Sequence, residues 1–117
     1  MGFIGSLRFA SKITAPDTTT ITFKMGRVRK NELVKVTAAM VIDYTTANKK
    51  LVLGFRDVEG TDHYVQVIQA ANIFEAHLTG EIYLIEGEEA IGVVASPTTS
   101  AVCYFTVHGE RYKLPGT

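Results

Sequence analysis

Residues 81–109 read EIYLIEGEEAIGVVASPTTSAVCYFTVHG, and this stretch constrains the fold more than any other. Ala101, Cys103, Phe105 and Val107 fall on one parity and Tyr104, Thr106 and His108 on the other. That period of two belongs to a half-buried strand, because successive side chains point to opposite faces of a sheet. A helix face would need apolar spacings of three and four, which this segment lacks. Upstream, Ile82 and Leu84 share a face, then Glu86-Gly87-Glu88-Glu89 supplies a turn in which Gly87 can take a positive φ. Ile91, Val93 and Ala95 continue an alternating face until Pro97, which has no amide hydrogen for a ladder. The expectation is an antiparallel meander of three strands, without a catalytic pattern in it.

The remaining chain repeats this rhythm. Ile21, Phe23 and Met25 alternate with Thr20, Thr22 and Lys24; Val34, Val36, Ala38, Met40 and Ile42 make one face of the longest strand; Leu51, Leu53 and Phe55 make another. Residues 58–62 read as a hairpin turn around Gly60, and residues 63–68 as the next strand. Between 66 and 78, Val67, Ala71, Phe74 and Leu78 have helical spacing, but a strand ending near Ile68 and a loop with at most a helical turn is favoured. About eight short strands with regular turn signals predict an all-β, antiparallel, jelly-roll-like β-sandwich. The expected core is Ile21, Phe23, Val36, Met40, Leu53, Phe55, Ile82, Leu84, Val93, Cys103 and Phe105. With 117 residues and 46% hydrophobic content, one domain can bury a core without staples. Residues 1–17 are read as an N-terminal arm or edge strand and residues 18–117 as the sandwich. The mixed-parity residues Phe3, Ile4, Leu7 and Phe9 are expected to pack partly on another subunit.

Chemistry is harder to find. The single cysteine, Cys103, cannot form an internal disulfide and sits on an apolar strand face, where a buried structural thiol is expected. His63, His77 and His108 are scattered without metal-ligand spacing, so no metal is assigned. Asp57, Glu59 and Asp62 around Gly60 lack the full spacing of a calcium loop and read as a hairpin. Met1-Gly2 with Ser6 fits the N-myristoylation pattern only loosely. Arg27, Arg29 and Lys30 have no interleaved aromatic residues, so direct nucleic-acid binding is not expected. Glu86, Glu88 and Glu89 could suggest the paired acids of a glycosidase, but in a tight turn they read as solubilising charge on an edge. No catalytic residue and no cofactor are assigned. No run approaches the ~20 apolar residues of a membrane span, and residues 1–12 lack a signal-peptide core, so the expectation is a soluble chain made in the cytoplasm.

Short strands in this order, with the late GEIYLIEGEEAIGVVAS…VCYFTVHGE meander, resemble small jelly-roll structural proteins of tailed-bacteriophage virions. The resemblance spans roughly residues 18–109. It implies a non-enzymatic virion protein, made in the host cytoplasm, that decorates a capsid, attaches fibres or sits at the neck. It further implies a homo-oligomer with other virion proteins, such as the major capsid or neck proteins, as partners. The alternative is a small β-sandwich binding module for carbohydrate or another surface ligand. The chain has no Trp, and the outward candidates Tyr64, Tyr83 and Tyr104 lie on separate strands, which favours assembly.

Charge supplies a second expectation. Residues 1–56 carry ten Lys or Arg against three Asp or Glu; residues 57–117 carry two against nine. Interleaved strands would mix the signs. Opposed ends would instead let Arg27, Arg29 and Lys30 of one copy meet Glu86, Glu88 and Glu89 of another.

Overall fold

Alternating sequences need two layers to hide one face of each strand, and the computed structural model has two. It describes residues 2–44 and 48–115, with the backbone alone at 48–49 and 70–73. Among the described residues, nine strands run in chain order: β1 (Gly2–Thr14), β2 (Ile21–Lys24), β3 (Glu32–Asp43), β4 (Asn48–Arg56), β5 (Asp62–Ile73), β6 (Glu75–His77), β7 (Ile82–Leu84), β8 (Glu89–Val94) and β9 (Val102–Lys113). One sheet has the order β1-β9-β3-β6, with β7 also on β3; the other has the order β2-β8-β4-β5. β6 pairs with Met40–Ile42 and β7 with Val34–Val36, so the two are halves of one interrupted strand. Counting them together gives eight strands in two four-stranded antiparallel sheets, the strand order of a jelly roll.

Phe105 lies at the centre, fully buried, with the rings of Phe9 at 6.0 Å and Phe23 at 5.8 Å. Phe9 comes from β1 beside it and Phe23 from the opposite sheet. Gly92 on β8 makes the sheet-to-sheet fit possible: a Cβ there would lie 2.5 Å from the Phe105 ring. Ile21, Val36, Leu53, Leu84 and Cys103 fill the same core. Phe55 and Ile82 are half-buried against it.

Two strands carry a parity different from the sequence expectation. In β3 the register against β9 shifts between Val36 and Ala38, so Thr37 is an extra residue on that strand. Beyond this bulge the inward set becomes Ala39, Val41 and Asp43, and Met40 and Ile42 turn to the outer face. A bulge inverts every later side chain, and nothing in the local pattern announces it. In β8 the residues over the main core are Ala90, Gly92 and Val94. Ile91 and Val93 form a separate buried cluster with Val52 on the outer face of the second sheet. A continuous apolar run on a central strand is apolar on both faces, so its parity cannot be read.

The segment expected to end near Ile68 continues as strand to Ile73. Register shifts against β4 between Asn48 and Lys50 and between Leu53 and Gly54 absorb its extra residues. These bulges break the period-two signal on which the sequence expectation rests. Residues 2–14 form the edge strand β1, paired with β9 from Gly2 to Thr14 with one bulge at Ile4. Ala15 then anchors the exit through Ala15 N–H to Ala101 O at 2.8 Å and Ser100 N–H to Ala15 O at 2.7 Å. Of the polar turn expected after Asp43, residues 45–47 lie outside the described residues, as does Met1.

Candidate assembly surfaces and the charged end

Each sheet ends on one long strand. β1 has 13 residues and β5 has 12, and among the described residues each pairs with a single neighbour: β1 with β9, β5 with β4. The other side of each therefore presents backbone N–H and C=O groups to whatever lies beyond. β1 keeps Leu7, Phe9 and Ile13 on its inner face, packed on the protein's own core. Its outer face and its start are exposed, with Phe3 at 58% and Ile4 at 44%. Phe3 lies edge-on to Tyr112 at 5.8 Å. Of the four apolar residues expected at a subunit contact, Leu7 and Phe9 belong to the fold instead, because the β1–β9 register turns them inward. Phe3 and Ile4 remain available. On β5, Tyr64, Val65 and Val67 are all about half-exposed, at 53%, 45% and 43%. Val67 lies opposite Val52, so it extends the apolar cluster of Val52, Ile91 and Val93 towards solvent.

The charged residues singled out by sequence meet within one chain. The 25–31 loop lies against the 85–88 turn: Val28 N–H donates to Glu88 O at 2.8 Å and Gly87 N–H to Val28 O at 3.0 Å. Gly87 holds φ at 84°, and a Cβ there would meet Val58 at 2.8 Å, so the turn requires glycine twice over. Glu86 accepts from Asn31 N–H at 2.8 Å, and Glu88 accepts from Ile85 N–H at 2.8 Å. Glu89 is buried; it accepts from Gly26 N–H at 3.0 Å and lies 3.9 Å from Arg27 Nε. Arg27 also donates to the carbonyls of Gly87 and Asp57. Arg29 and Lys30 are exposed.

Of the two readings of the charge pattern, the fold builds the one in which interleaved strands mix the signs. Each sheet draws strands from both halves of the chain. The pairs Arg27–Glu89, Lys35–Glu81, Lys35–Glu110, Arg56–Asp62 and Arg111–Glu32 all join one half to the other.

Arg111–Glu32 has no sequence signal, since the partners stand 79 positions apart and only the β3–β9 register joins them. Arg111 donates twice to Glu32, from Nε and Nη2, each at 3.0 Å. The Arg111 hydrogen bonds hold the Glu32 carboxyl below its ordinary range, and the Arg29 and Lys113 charges add to this. This pair lines a cleft of about 400 Å³ at one end of the sandwich. Leu7 and Arg8 of β1, residues 25–29 of the loop and Val34 complete most of its wall.

The carboxylates Asp57 and Asp62 of the hairpin turn have structural partners. Asp57 accepts from Glu59 N–H at 2.9 Å and Thr61 N–H at 3.0 Å, and contacts His63 Nε2 at 2.8 Å, as a hairpin cap does. Its hydrogen bond with His63, followed by the one from Thr61, pulls the Asp57 carboxyl below its usual range. Asp62 is taken by Arg56, with Nε at 2.6 Å, and that bond lowers its carboxyl too. No group of three or more His, Cys, Asp or Glu converges among the described residues. Cys103 is buried, and desolvation with the nearby Asp43 charge pushes its thiol up to about 11, so it is a poor nucleophile. Tyr83 and Tyr104 lie on the outer face of the first sheet and Tyr64 on that of the second. Tyr44 meets Tyr104 edge-on at 70°, so these rings make no flat platform.

No family model matches the chain, and a search of curated proteins finds no match. Solved structures do resemble it. A chain of the Bacillus endospore appendages, described as disulfide-linked pili, superposes with a TM-score of 0.53 at 13% identity, covering 97% of this chain and 90% of that one. The Drosophila NLP core, described in connection with pentamer formation and histone binding, gives 0.48 at 12% identity over 95% of this chain and 100% of its own. A xylan-binding domain of Paenibacillus barcinonensis gives 0.36 at 16% identity over 99% and 88%. At such identities the first likeness establishes the fold, a two-sheet β-sandwich, and the two scores below 0.5 add nothing to it.

Proposed function

We propose that this chain is a non-enzymatic assembly module, an auxiliary protein on the head of a tailed phage that contacts copies of itself and other virion proteins. The observation that carries the reading is the pair of long terminal strands, β1 and β5, each with one neighbour in its own chain. A strand edge of this length pairs with another chain unless charge, proline or a covering element blocks it. β1 has only Arg8 and Lys12 as charges and no proline. Exposed Phe3 and Ile4 on β1, and Tyr64, Val65 and Val67 on β5, add apolar area beside those edges. The Bacillus appendage pili show that a fold of this class can build an assembly. There the pili are disulfide-linked; here the lone Cys103 is buried, so association rests on non-covalent contacts.

The localisation follows from the same reading: a virion component synthesised in the host cytoplasm, with major capsid or neck proteins as partners. Native mass spectrometry across a concentration series tests the assembly step. The wild-type chain is expected to form a defined oligomer, and Ala10→Lys with Thr14→Lys, on the exposed face of β1, is expected to shift it towards monomer. A monomer at every concentration, in the presence and absence of purified phage heads, would rule the proposal out.

A further inference from the structure

The cleft at the Arg111 end has a chemistry that edge pairing does not use. Its lining residues include Arg8, Arg27, Arg29 and Arg111 and one acidic residue, Glu32, and the charges of Arg29 and Arg111 both act on the Glu32 carboxyl. Their states differ. Arg27 is committed to the Gly87 and Asp57 carbonyls and to Glu89. Arg111 gives Nε and one Nη2 hydrogen to Glu32, which fixes the plane of the guanidinium and leaves its remaining hydrogens unspent. Arg29 and Arg8 are exposed at the rim. The floor is apolar: Val28 and Val34 are buried, and Leu7 and Met25 are half-buried against the core. The cleft holds about 400 Å³, room for a few side chains of a ligand.

We propose that this cleft binds an acidic, aliphatic peptide segment of a partner protein, with carboxylates on Arg29 and Arg111 and an aliphatic side chain over Leu7 and Met25. Guanidinium forks match carboxylates two bonds at a time, and a recessed site concentrates the positive field. Inorganic phosphate would satisfy the arginines but leave the apolar floor wet. Single-stranded nucleic acid is held by base stacking on aromatic rings, and the described lining residues include none. Mixed chemistry of this kind fits a peptide that carries both charge and aliphatic surface. The site goes beyond the assembly reading and does not depend on it.

The probe is a blocked five-residue peptide alternating aspartate with leucine, titrated to millimolar concentration into nitrogen-labelled protein at low salt. Expected are shifts in the amide signals of residues 25–29 and in arginine Nε–H signals, with affinity about tenfold weaker in Arg29→Glu, a factor typical of losing one charge-assisted contact. Arg29 is exposed, so this variant is expected to keep the wild-type melting point; Arg8→Glu serves as a second rim variant. The asparagine version of the peptide should not bind. Absence of shifts, or affinity unchanged in both variants, overturns the proposal. Equal binding of inorganic phosphate overturns it in favour of a simple oxyanion site, and tighter binding of oligothymidine in favour of nucleic acid. Self-association is read separately by mass, so neither result stands in for the other.

Discussion

The charged end and the two sheet edges solve opposite problems. At the charged end, hydrogen bonds within and between the 25–31 loop, the 85–88 turn and their neighbours are satisfied inside the chain: Glu86, Glu88 and Glu89 all accept from backbone amides, and Arg27 closes on two carbonyls. At β1 and β5 the backbone has, among the described residues, one neighbour and no second. The lesson is that most of the charge pattern visible in the sequence holds the fold together, while the capacity for self-association lies in main-chain groups that no composition reveals. Exposed ion pairs contribute only ~0–1 kcal/mol each, whereas an open strand edge offers a whole row of hydrogen bonds to a partner.

The largest test of this contrast is removal of β1. Its register with β9 runs from Gly2 to Thr14, and its inner face covers Phe105 through Phe9. Deleting residues 1–14 should unfold the domain rather than free a monomer, read as loss of the cooperative thermal transition. A folded, monomeric product would show that β1 is a detachable arm. Next, Phe105→Ala should cost ~3–5 kcal/mol in chemical denaturation, because the ring is fully enclosed between two other rings and Gly92. A small loss would mean that the two sheets collapse into the gap.

At the charged end, Glu89→Ala removes a buried acceptor from Gly26 N–H and a partner from Arg27. The expected loss is about 1–3 kcal/mol, with association unchanged. Altered association with unchanged stability would return Glu89 to an intermolecular role. Acid should act through the same intramolecular bonds. Glu32, Asp57 and Asp62 are all held below their ordinary values of 4.5 and 3.8, so the unfolded chain takes up protons before the folded one. Their contribution is full above those ordinary values and is lost as pH falls from there through the lower folded ones. Melting curves between pH 6 and pH 2 read this as a falling melting point below about pH 4.5. The smallest effect is expected from Lys30→Glu, an exposed change of ~0–1 kcal/mol.

How much of the fold is legible in the sequence follows from the same physics. β9 shows its correct faces, since Cys103, Phe105 and Val107 alternate without interruption and all three are buried. β2 is equally clear through Ile21 and Phe23. The antiparallel sandwich follows from turn spacing, and the two-sheet jelly-roll order agrees with it. Legibility fails where a register shift or a two-sided burial removes the signal. Thr37 inverts the second half of β3, and Ile91 and Val93 are as apolar as the core residues beside them although they face the other way. The Glu32–Arg111 pair and the cleft it lines are hidden for a different reason: strand pairing between distant parts of the chain brings them together, and a single sequence does not display its own register. Glu86, Glu88 and Glu89 stand out by their charge, but their backbone partners leave no trace in the sequence.

The contrast between the two regions is tested most directly by amide hydrogen exchange measured at low and high protein concentration. Residues in β1 and β5 should gain protection as concentration rises, while the amides of Gly26, Val28, Asn31 and Gly87, already bonded within the chain, should exchange at the same rate throughout. Concentration-independent exchange along both edges, or new protection confined to the charged end, would contradict it.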